Sequence, residues 1–402
     1  MTQLPVRYDR QGAVGVVTVD SPPVNALSQA VRQGIMDRVT EGFNDPAVTA
    51  LVIVGAGRTF IAGADIAEFL GGGMGEPDLN DLNALIESGP KPVIAALHGT
   101  ALGGGLEVAL SCQYRVAVPK ALVGLPEVKL GILPGGGGTQ RLSRVVGAKT
   151  AIEMITTGTF LPAAKAQALG IVDHIGEGAD PLAVALAFAA TLPAGPHKRT
   201  RDREDGLAAD RGSTVFDEAR AALAKTARNQ FAPQRCVDAV EAAFTLPFDE
   251  GLKRERELFM QCMAHDQAKA LIHVFFAERA ISKIPDVPPS VPVRKIAQVA
   301  VLGSGTMGGG IAMNFVNAGI PVRLLDLDQA ALDRGMGVIA KNYAGTVAKG
   351  KLAQAEMDKR LSLIQPTTDY ADLSDADLIV EAVFEDADVK AKVFRRLDEV
   401  AK

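Results

Sequence analysis

Tryptophan is absent from this sequence of 402 residues, and there are only three cysteines and five histidines. The cysteines, Cys112, Cys236 and Cys262, are an odd number and have no CxxC or metal-ligand spacing. A disulfide framework and a zinc site are therefore excluded as explanations of the fold, and we expect no bound metal. Reduced thiols are typical of a cytosol-like compartment, so the cytoplasm is the expected location.

Long apolar runs are also missing. None reaches about 18 residues, the length that a membrane span needs, and residues 1–8 lack the basic and then apolar pattern of a signal peptide. The formal net charge of −5 argues against a nucleic-acid partner or an anionic membrane surface. We therefore expect neither a membrane span nor a nucleic-acid partner.

Apolar residues and glycine are abundant. Hydrophobic residues make up 48% of the sequence and there are 41 glycines, which fits large cores joined by tight turns. The length predicts about two or three domains. Strand patterns at residues 6–9, 14–19 and 51–54 flank a predicted helix that runs from Ser28 toward Asn44. Strand, helix and strand in this order predict an α/β fold.

A run of three glycines, Gly103 to Gly105, precedes an apolar stretch and predicts a bare turn that enters a helix. The first N–H groups of a helix have no partner inside it, so such a turn suits an oxygen that acquires negative charge. Glu107 and Glu127 flank the turn in sequence. Two carboxylates beside an oxyanion hole are suited to moving a proton and activating water.

Four spaced motifs carry a resemblance to a known family. Together they are similar to the crotonase, or enoyl-CoA hydratase/isomerase, superfamily, and the resemblance implies a crotonase-type ββα spiral. Later segments resemble the multifunctional fatty-acid β-oxidation enzymes, in which a hydratase half precedes a 3-hydroxyacyl-CoA dehydrogenase half. The motifs are Ala62-Gly63-Ala64-Asp65-Ile66, Gly103-Gly104-Gly105-Leu106-Glu107, Leu125-Pro126-Glu127 and Pro134-Gly135-Gly136-Gly137-Gly138-Thr139-Gln140-Arg141-Leu142.

The resemblance implies a role for each matching residue. The backbone N–H groups of Ala64 and Gly104 would form the oxyanion hole. Glu107 would orient and deprotonate water for attack at C3 of the substrate, and Glu127 would donate a proton to C2. The product would be a 3-hydroxyacyl-CoA, and no cofactor is expected for this hydration.

Further positions would contact the acyl-CoA substrate. They are Ala62, Gly63, Gly103, Asp65 and Arg58. Asp65 also fits the cap of the helix that follows. Arg58 lies where relatives often carry a basic residue near the coenzyme A phosphates, and an exposed loop arginine explains it equally well.

Two rival functions remain open from the residues. Family members that keep only the second glutamate are isomerases, so Δ3-Δ2-enoyl-CoA isomerisation is one alternative. A non-catalytic chain that binds coenzyme A or NAD is the other. Retention of both Glu107 and Glu127 favours hydration, as does their place beside the turn.

The resemblance implies that the chain has three parts. Residues 1–192 form the predicted crotonase domain, 193–290 a helical linker region, and 291–402 the N-terminal part of an NAD-binding Rossmann domain. The sequence of residues 251–259 and 275–279 resembles the linker of the multifunctional enzymes. The last boundary is marked by four prolines, Pro285, Pro288, Pro289 and Pro292.

A dinucleotide fingerprint opens the last part. A predicted strand at residues 296–302 runs into Gly303, Gly305 and Gly308, with Thr306 and Met307 between them, and a helix follows. Asp326 ends the next strand, near the spacing of a ribose-binding carboxylate, and favours NAD over NADP. Glu385 and Lys390 match positions that contact NAD in the dehydrogenase family.

The dehydrogenase part is expected to be incomplete. In the family the catalytic histidine and its glutamate partner come later than Lys402, so we expect no oxidation of 3-hydroxyacyl-CoA by this chain, and stable NAD binding is left open. The resemblance also leaves open a thiolase partner of the full-length enzyme, and a peroxisomal location if the source is eukaryotic.

Overall fold

The computed structural model describes residues 4–70, 75–208, 210–281, 284–288 and 290–402. It consists of two compact units, Met1–Ile284 and Pro285–Lys402. The helices of the predicted linker region therefore belong to the first unit up to Ile281. Pro289, one of the prolines at the predicted boundary, lies outside the described residues.

The strands of the first unit form a six-stranded and a three-stranded sheet, ordered β1-β2-β3-β4-β6-β9 and β5-β7-β8. In the larger sheet β1 and β2 are an antiparallel hairpin and the remaining pairs are parallel. The predicted strands at residues 6–9, 14–19 and 51–54 are confirmed. The strands are β1 (Val6–Gln11), β2 (Val14–Val19), β3 (Ala50–Gly55), β4 (Val93–Leu97), β5 (Thr100–Leu102), β6 (Tyr114–Ala117), β7 (Leu122–Gly124), β8 (Leu161–Pro162) and β9 (His174–Ile175).

Helices cover both faces of the larger sheet and extend beyond it. Ser28 occupies the N-cap position of the first helix, as predicted, although its side chain makes no capping hydrogen bond. The helices are α1 (Gln29–Asn44), α2 (Ile66–Leu70), α3 (Leu79–Ser88), α4 (Gly104–Ser111), α5 (Gly138–Thr157), α6 (Ala163–Ala168), α7 (Pro181–Ala189), α8 (Asp205–Ala208), α9 (Val215–Thr226), α10 (Ala232–Thr245), α11 (Phe248–Ala264) and α12 (Asp266–Ile281). Short 3-10 helices occur at Glu127–Leu130 and Thr200–Asp202.

The inner strands β2, β3 and β4 of the six-stranded sheet are buried on both faces, which explains their continuous apolar runs. Val17 and Ile53 face the main core, whereas Val16 and Val52 face a smaller cluster that includes Val184 of α7. Successive side chains of a strand alternate between the two faces, so both clusters draw on the same strands. The sheet is thereby fixed firmly behind the loops that carry the candidate site.

Helices α8 to α11 pack on α5. The first of these contacts is made by α8 and α9, α10 runs along α5, and α11 packs on both α5 and α10. Cys236 and Cys262, from α10 and α11, are fully buried in the main core. The predicted linker helices are therefore part of the first unit's core.

The second unit is a parallel sheet of four strands in the order β12-β11-β10-β13. Two clusters of buried apolar residues cover its two faces. Its elements are β10 (Val299–Leu302), α13 (Thr306–Asn317), β11 (Val322–Leu325), α14 (Gln329–Ala348), α15 (Gln354–Ser362), β12 (Ile364–Thr367), the 3-10 helix Tyr370–Leu373, β13 (Leu378–Glu381) and α16 (Ala387–Val400). Within the described ranges, we find no helix that is both long and apolar enough to traverse a bilayer.

Candidate active site

The turn before α4 has the geometry that its glycines predict. Gly103 has φ +52° and ψ −127°, and its N–H donates to the carbonyl oxygen of Gly124 at 2.9 Å. This backbone conformation is open to glycine and strained for other residues. Gly104 is the first residue of α4, so its N–H has no acceptor within the helix. A Cβ at Gly104 would lie 3.4 Å from the nitrogen of Ala64, so the two predicted oxyanion donors are neighbours.

Glu107 lies in the first turn of α4 and is 2% exposed. Its Oε1 accepts hydrogen bonds from the N–H groups of Gly136 and Gly138, at 2.7 and 2.8 Å. Burial raises the pKa of Glu107, while these two hydrogen bonds and the nearby Arg141 oppose the increase. The carboxyl group is thus held at one oxygen by the glycine-rich loop that begins α5.

Glu127 is the first residue of the 3-10 helix Glu127–Leu130. Its Oε1 would lie 2.9 Å from a Cβ at Gly103, so the carboxyl group lies directly against the oxyanion turn. Among the described residues, its buried Oε2 has no hydrogen-bond partner. Burial, and then the charge of Glu107, raise the pKa of Glu127 well above the ordinary value.

These groups line one cavity of about 340 Å³. Both glutamates line it, as do Ala64, Gly104 and the predicted substrate positions Ala62, Gly63 and Gly103. Apolar side chains form most of the remaining wall. They are Ile66, Phe69, Leu79, Leu102, Leu130, Ile132, Leu133, Phe160, Phe259 and Phe275.

Two of the predicted substrate positions are not among the described residues that line the cavity. Arg58 is exposed on the loop after β3. Asp65 accepts a hydrogen bond from the N–H of Ala67 at 3.1 Å, as expected of a residue that caps α2. The geometry thus favours the capping role of Asp65.

Five residues that reasoning from the sequence missed also line the cavity or adjoin it. Phe259 of α11, together with Phe275 and Arg279 of α12, contributes to the wall, and Lys129 lies beside Glu127. Glu255 of α11 is 1% exposed and binds the same glycine-rich loop as Glu107. For the residues of α11 and α12, the only sequence signal was the resemblance at residues 251–259 and 275–279, which we interpreted as linker.

A buried ion pair also helps to fix the loop between the cavity and α5. Arg141 Nη2 lies 2.7 Å from Glu87 Oε2, and both side chains are at most 2% exposed. Arg141 Nη1 also donates to the carbonyl oxygen of Gly136 at 3.3 Å. Because a buried charge that loses its partner is costly, this pair fixes α5 relative to α3.

The second unit presents a separate candidate site at the carboxyl ends of its strands. Gly303 has φ +97°, and a Cβ at Gly308 would lie 1.8 Å from the carbonyl oxygen of Gly303. The turn therefore requires glycine at both positions. Gly305 precedes α13, and a Cβ there would meet nothing within 4 Å. Thr306 and Met307, which follow it, are exposed.

Asp326 follows β11 and binds the same turn. Its Oδ2 accepts hydrogen bonds from the N–H and the Oγ of Ser304, at 2.7 and 2.6 Å. Burial acts to raise the pKa of Asp326, but the bonds from Ser304 and the N–H of Leu327 outweigh it, so this pKa is lowered. Lys390 pairs with Glu385 at 2.9 Å and with Glu381 at 3.2 Å.

Comparison with known families gives two matches. The family described as enoyl-CoA hydratase/isomerase matches residues 9–210. The family described as 3-hydroxyacyl-CoA dehydrogenase, NAD binding domain, matches residues 298–402. The matches follow the predicted order of a hydratase part and a dinucleotide-binding part.

Among curated proteins, the chain is similar to a peroxisomal bifunctional enzyme of Danio rerio, with 42% identity over 97% of this chain and 54% of that protein. It is also similar to a peroxisomal fatty acid beta-oxidation multifunctional protein of Oryza sativa subsp. japonica, with 36% identity over 96% of this chain and 55% of that protein. The chain thus spans about half the length of these relatives.

Solved structures resemble the first unit. A carnitinyl-CoA hydratase from Mycobacterium avium has a TM-score of 0.52 and 29% identity, and covers 69% of this chain and 97% of its own. An enoyl-CoA hydratase from Mycobacterium avium subsp. paratuberculosis has a TM-score of 0.50 and 26% identity, and covers 68% of this chain and 99% of its own. The predicted crotonase-type fold is therefore confirmed.

Proposed function

Since the chain belongs to the enoyl-CoA hydratase/isomerase family, we propose that it adds water to the 2,3 double bond of a trans-2-enoyl-CoA thioester to form a 3-hydroxyacyl-CoA. The observation that carries the proposal is the shared cavity of Ala64, Gly104, Glu107 and Glu127. It supplies two main-chain donors for an oxygen and two carboxyl groups for a water molecule. These are the groups that this addition requires.

The thioester oxygen would be bound by the N–H groups of Ala64 and Gly104. Attack at C3 moves electron density onto this oxygen, and donors fixed in advance stabilise that charge at no cost of reorganisation. The first N–H of α4 also lies at the positive end of the helix dipole. The strained turn at Gly103 brings this N–H to the cavity.

The two glutamates have surroundings that suit different roles. Two backbone N–H groups bind Glu107 and favour its ionised form, which would take a proton from water. Glu127 Oε2 has no such donor among the described residues, and the pKa of Glu127 is raised further by Glu107, which suits a protonated acid that delivers a proton to C2. Environments that separate two pKa values in this way assign base and acid.

The apolar wall would hold the acyl chain. Phe69, Leu79 and Phe259 line the cavity on the side where α2, α3 and α11 approach it. An acyl chain buries its methylene groups favourably there, by about 0.8 kcal/mol for each. The proposed substrate is therefore an enoyl thioester with a hydrocarbon tail, consistent with the fatty acid beta-oxidation named for the Oryza relative.

The test is hydration of crotonoyl-CoA, followed as loss of the enoyl-thioester absorbance. We expect Glu107→Gln and Glu127→Gln each to lower kcat by about 100-fold or more, because each removes a proton acceptor or donor. Acyl-CoA binding, measured by calorimetry, should persist. The control is Glu153→Gln, which changes an exposed glutamate on α5 and should leave kcat unchanged.

Unchanged turnover in both variants would refute the hydratase proposal. A chain that converts a 3-enoyl-CoA to the 2-enoyl isomer but does not hydrate crotonoyl-CoA would instead be an isomerase. A chain that binds acyl-CoA and converts neither substrate would be the non-catalytic alternative.

For the second unit we propose NAD binding. Gly303, Gly305 and Gly308 would hold the pyrophosphate at the start of α13, with Thr306 and Met307 beside it, and Asp326 would accept hydrogen bonds from the adenosine ribose. The open space at Gly305 and the close packing of Gly308 on Gly303 fit this ligand. Glu385 and Lys390, which pair with each other, are proposed to lie near it. NAD would supply a hydride acceptor.

We propose that the cellular compartment of this protein depends on whether its source is a eukaryote or a bacterium. The named relatives are peroxisomal enzymes. We propose a peroxisomal location in a eukaryotic cell and a cytoplasmic one in a bacterium. Fractionation of the source cells, with hydration of crotonoyl-CoA as the assay, distinguishes the two.

A further inference from the structure

A second buried carboxyl group binds the glycine-rich loop that holds Glu107. Glu255 projects from α11, and its Oε1 accepts a hydrogen bond from the N–H of Gly137 at 2.7 Å. Its Oε2 accepts hydrogen bonds from the N–H of Thr139 at 3.0 Å and from the Oγ1 of Thr139 at 2.5 Å. Both oxygens of this carboxyl group are therefore used within the protein.

The two glutamates take alternate N–H groups of the loop. Gly136 and Gly138 donate to Glu107, while Gly137 and Thr139 donate to Glu255. Successive N–H groups thus point to two different carboxyl groups, one from α4 and one from α11. Rotation of a peptide plane in this loop would disturb both sets of bonds at once.

Hydrogen bonding alone does not explain why position 255 carries a glutamate and not a neutral side chain. Glu255 is 1% exposed, and burial of a carboxylate is far more costly than burial of a neutral side chain. The charged groups that face this cluster are Glu107 from α4 and Glu127 from the 3-10 helix, with Arg141 of α5 near Glu107. Burial and the charge of Glu107 raise the pKa of Glu255 to about 8.

We propose that Glu255 is a positioning residue for hydration, which fixes the Gly136–Thr139 loop so that two N–H groups remain on Oε1 of Glu107 and its other oxygen stays directed to the attacking water. This inference rests on the proposed function. Glu107 Oε2 would lie 3.0 Å from a Cβ at Gly136, on the side of the loop that lines the cavity. Glu255 binds the loop through its other N–H groups.

The charge of Glu255 has a second effect. Above about pH 8, where Glu255 is ionised, its charge adds to the negative potential at Glu127, so its removal lowers the pKa of Glu127. Because hydration needs Glu127 protonated, the alkaline limb of the kcat profile should move to lower pH when this charge is lost. A purely structural role would reduce kcat without moving the profile.

The main experiment compares Glu255→Gln with Glu257→Gln in the full chain, using crotonoyl-CoA. Glu257 lies two residues along α11, and its side chain is 62% exposed in a pair with Arg254. We expect Glu255→Gln to lower kcat by about 10- to 100-fold, the size of effect that a small misplacement produces. KM should change less than twofold, and the alkaline limb of the profile should move to lower pH. Glu257→Gln should match the parent.

A second variant separates position from charge and carries the test if Glu255→Gln does not fold. Glu255→Asp keeps the charge and withdraws it by one methylene group, so we expect a lower kcat with an unmoved pH profile. A kcat equal to that of the parent in a folded Glu255 variant would overturn the inference. If the parent and Glu257→Gln also fail to hydrate crotonoyl-CoA, the proposed function has failed instead.

Discussion

Two glycine-rich turns of this molecule look alike in sequence and differ in what their N–H groups bind. In the first unit, the donors at the start of α5 are taken by the protein's own carboxyl groups, Glu107 and Glu255. In the second unit, the turn at Gly305 opens onto space and the residues that begin α13 are exposed. The first turn binds a glutamate that we propose to be catalytic, and the second would offer its donors to the proposed NAD ligand.

The difference comes from acids that are distant in the chain. Glu107 precedes the glycines it binds by about 30 residues, and Glu255 follows Gly137 by 118. In the second unit the nearby acid, Asp326, binds Ser304 and leaves the start of α13 to other partners. The function of a glycine-rich turn therefore depends on which acceptors its N–H groups bind.

The largest effect is expected at the turn before α4, where Gly103→Ala tests whether the open donor is essential. The new Cβ would lie 2.9 Å from Glu127 Oε1, in a backbone conformation that alanine rarely adopts. We expect the Gly104 N–H and Glu127 to be displaced and kcat for crotonoyl-CoA to fall by about 100-fold or more.

The control for this variant is Gly12→Ala. Gly12 also has a positive φ, of +62°, but a Cβ there meets nothing within 4 Å. If both variants retain the parent's kcat, the geometry of this turn does not govern hydration.

A smaller effect, confined to the second unit, is expected for Gly308→Ala. A Cβ 1.8 Å from the Gly303 carbonyl forces the turn apart, and overpacking of this kind costs about 1–3 kcal/mol. NAD affinity in a calorimetric titration should fall by about 10-fold or more. Hydration should be unchanged, because the described residues that line its cavity all belong to the first unit.

Gly310→Ala is the matched control on the same helix, since a Cβ there meets nothing within 4 Å. Equal NAD affinity in Gly308→Ala and Gly310→Ala would contradict the proposed pyrophosphate site. A parallel loss of hydration in Gly308→Ala would contradict the independence of the two sites.

The smallest effect is a change in the pH dependence of stability. The pKa of Glu255 is raised to about 8, so the unfolded chain releases this proton at lower pH than the folded one. The contribution of Glu255 to stability is therefore fully present below the unfolded pKa and is lost as the pH rises to about 8. Glu255→Gln has no such proton, so its Tm relative to the parent should rise with pH.

Calorimetry of the parent and Glu255→Gln between pH 5 and pH 8 would measure this trend, with about 2–4 °C of Tm for each kcal/mol in a unit of this size. Glu257→Gln serves again as the control. A Tm difference that stays constant or falls with pH would show that Glu255 is not buried with a raised pKa.

Much of the fold could be predicted because local patterns determine it. The strand at Val14–Val19 has the predicted bounds, since a run rich in β-branched residues ends there at Asp20. By contrast, α5 begins at Gly138, inside the glycine-rich motif, where no helix was predicted. Glycines begin this helix, and Gly147 interrupts it with φ +80°, so its propensity signal is weak where its tertiary contacts are strong.

The site residues that lie within the sequence motifs could be predicted. Ala64, Gly104, Glu107 and Glu127 lie together on the cavity as the resemblance implied. Glu255 was not predicted as a site residue, because an acid on an amphipathic helix is normally a solvated one and nothing nearby in the sequence marks its acceptor role. Its partners become visible only when α11 packs on α5.

The wall that α11 and α12 contribute has a consequence for how the protein is made. The match to the hydratase family ends at residue 210, yet Glu255 and Phe259 complete the cavity and its loop. During synthesis a nascent chain carries both glutamates that we propose to be catalytic before it carries the side chains of α11 and α12 that line the cavity. A fragment that ends at the edge of the family match would lack part of the cavity wall, so a fragment with the whole wall extends through α12.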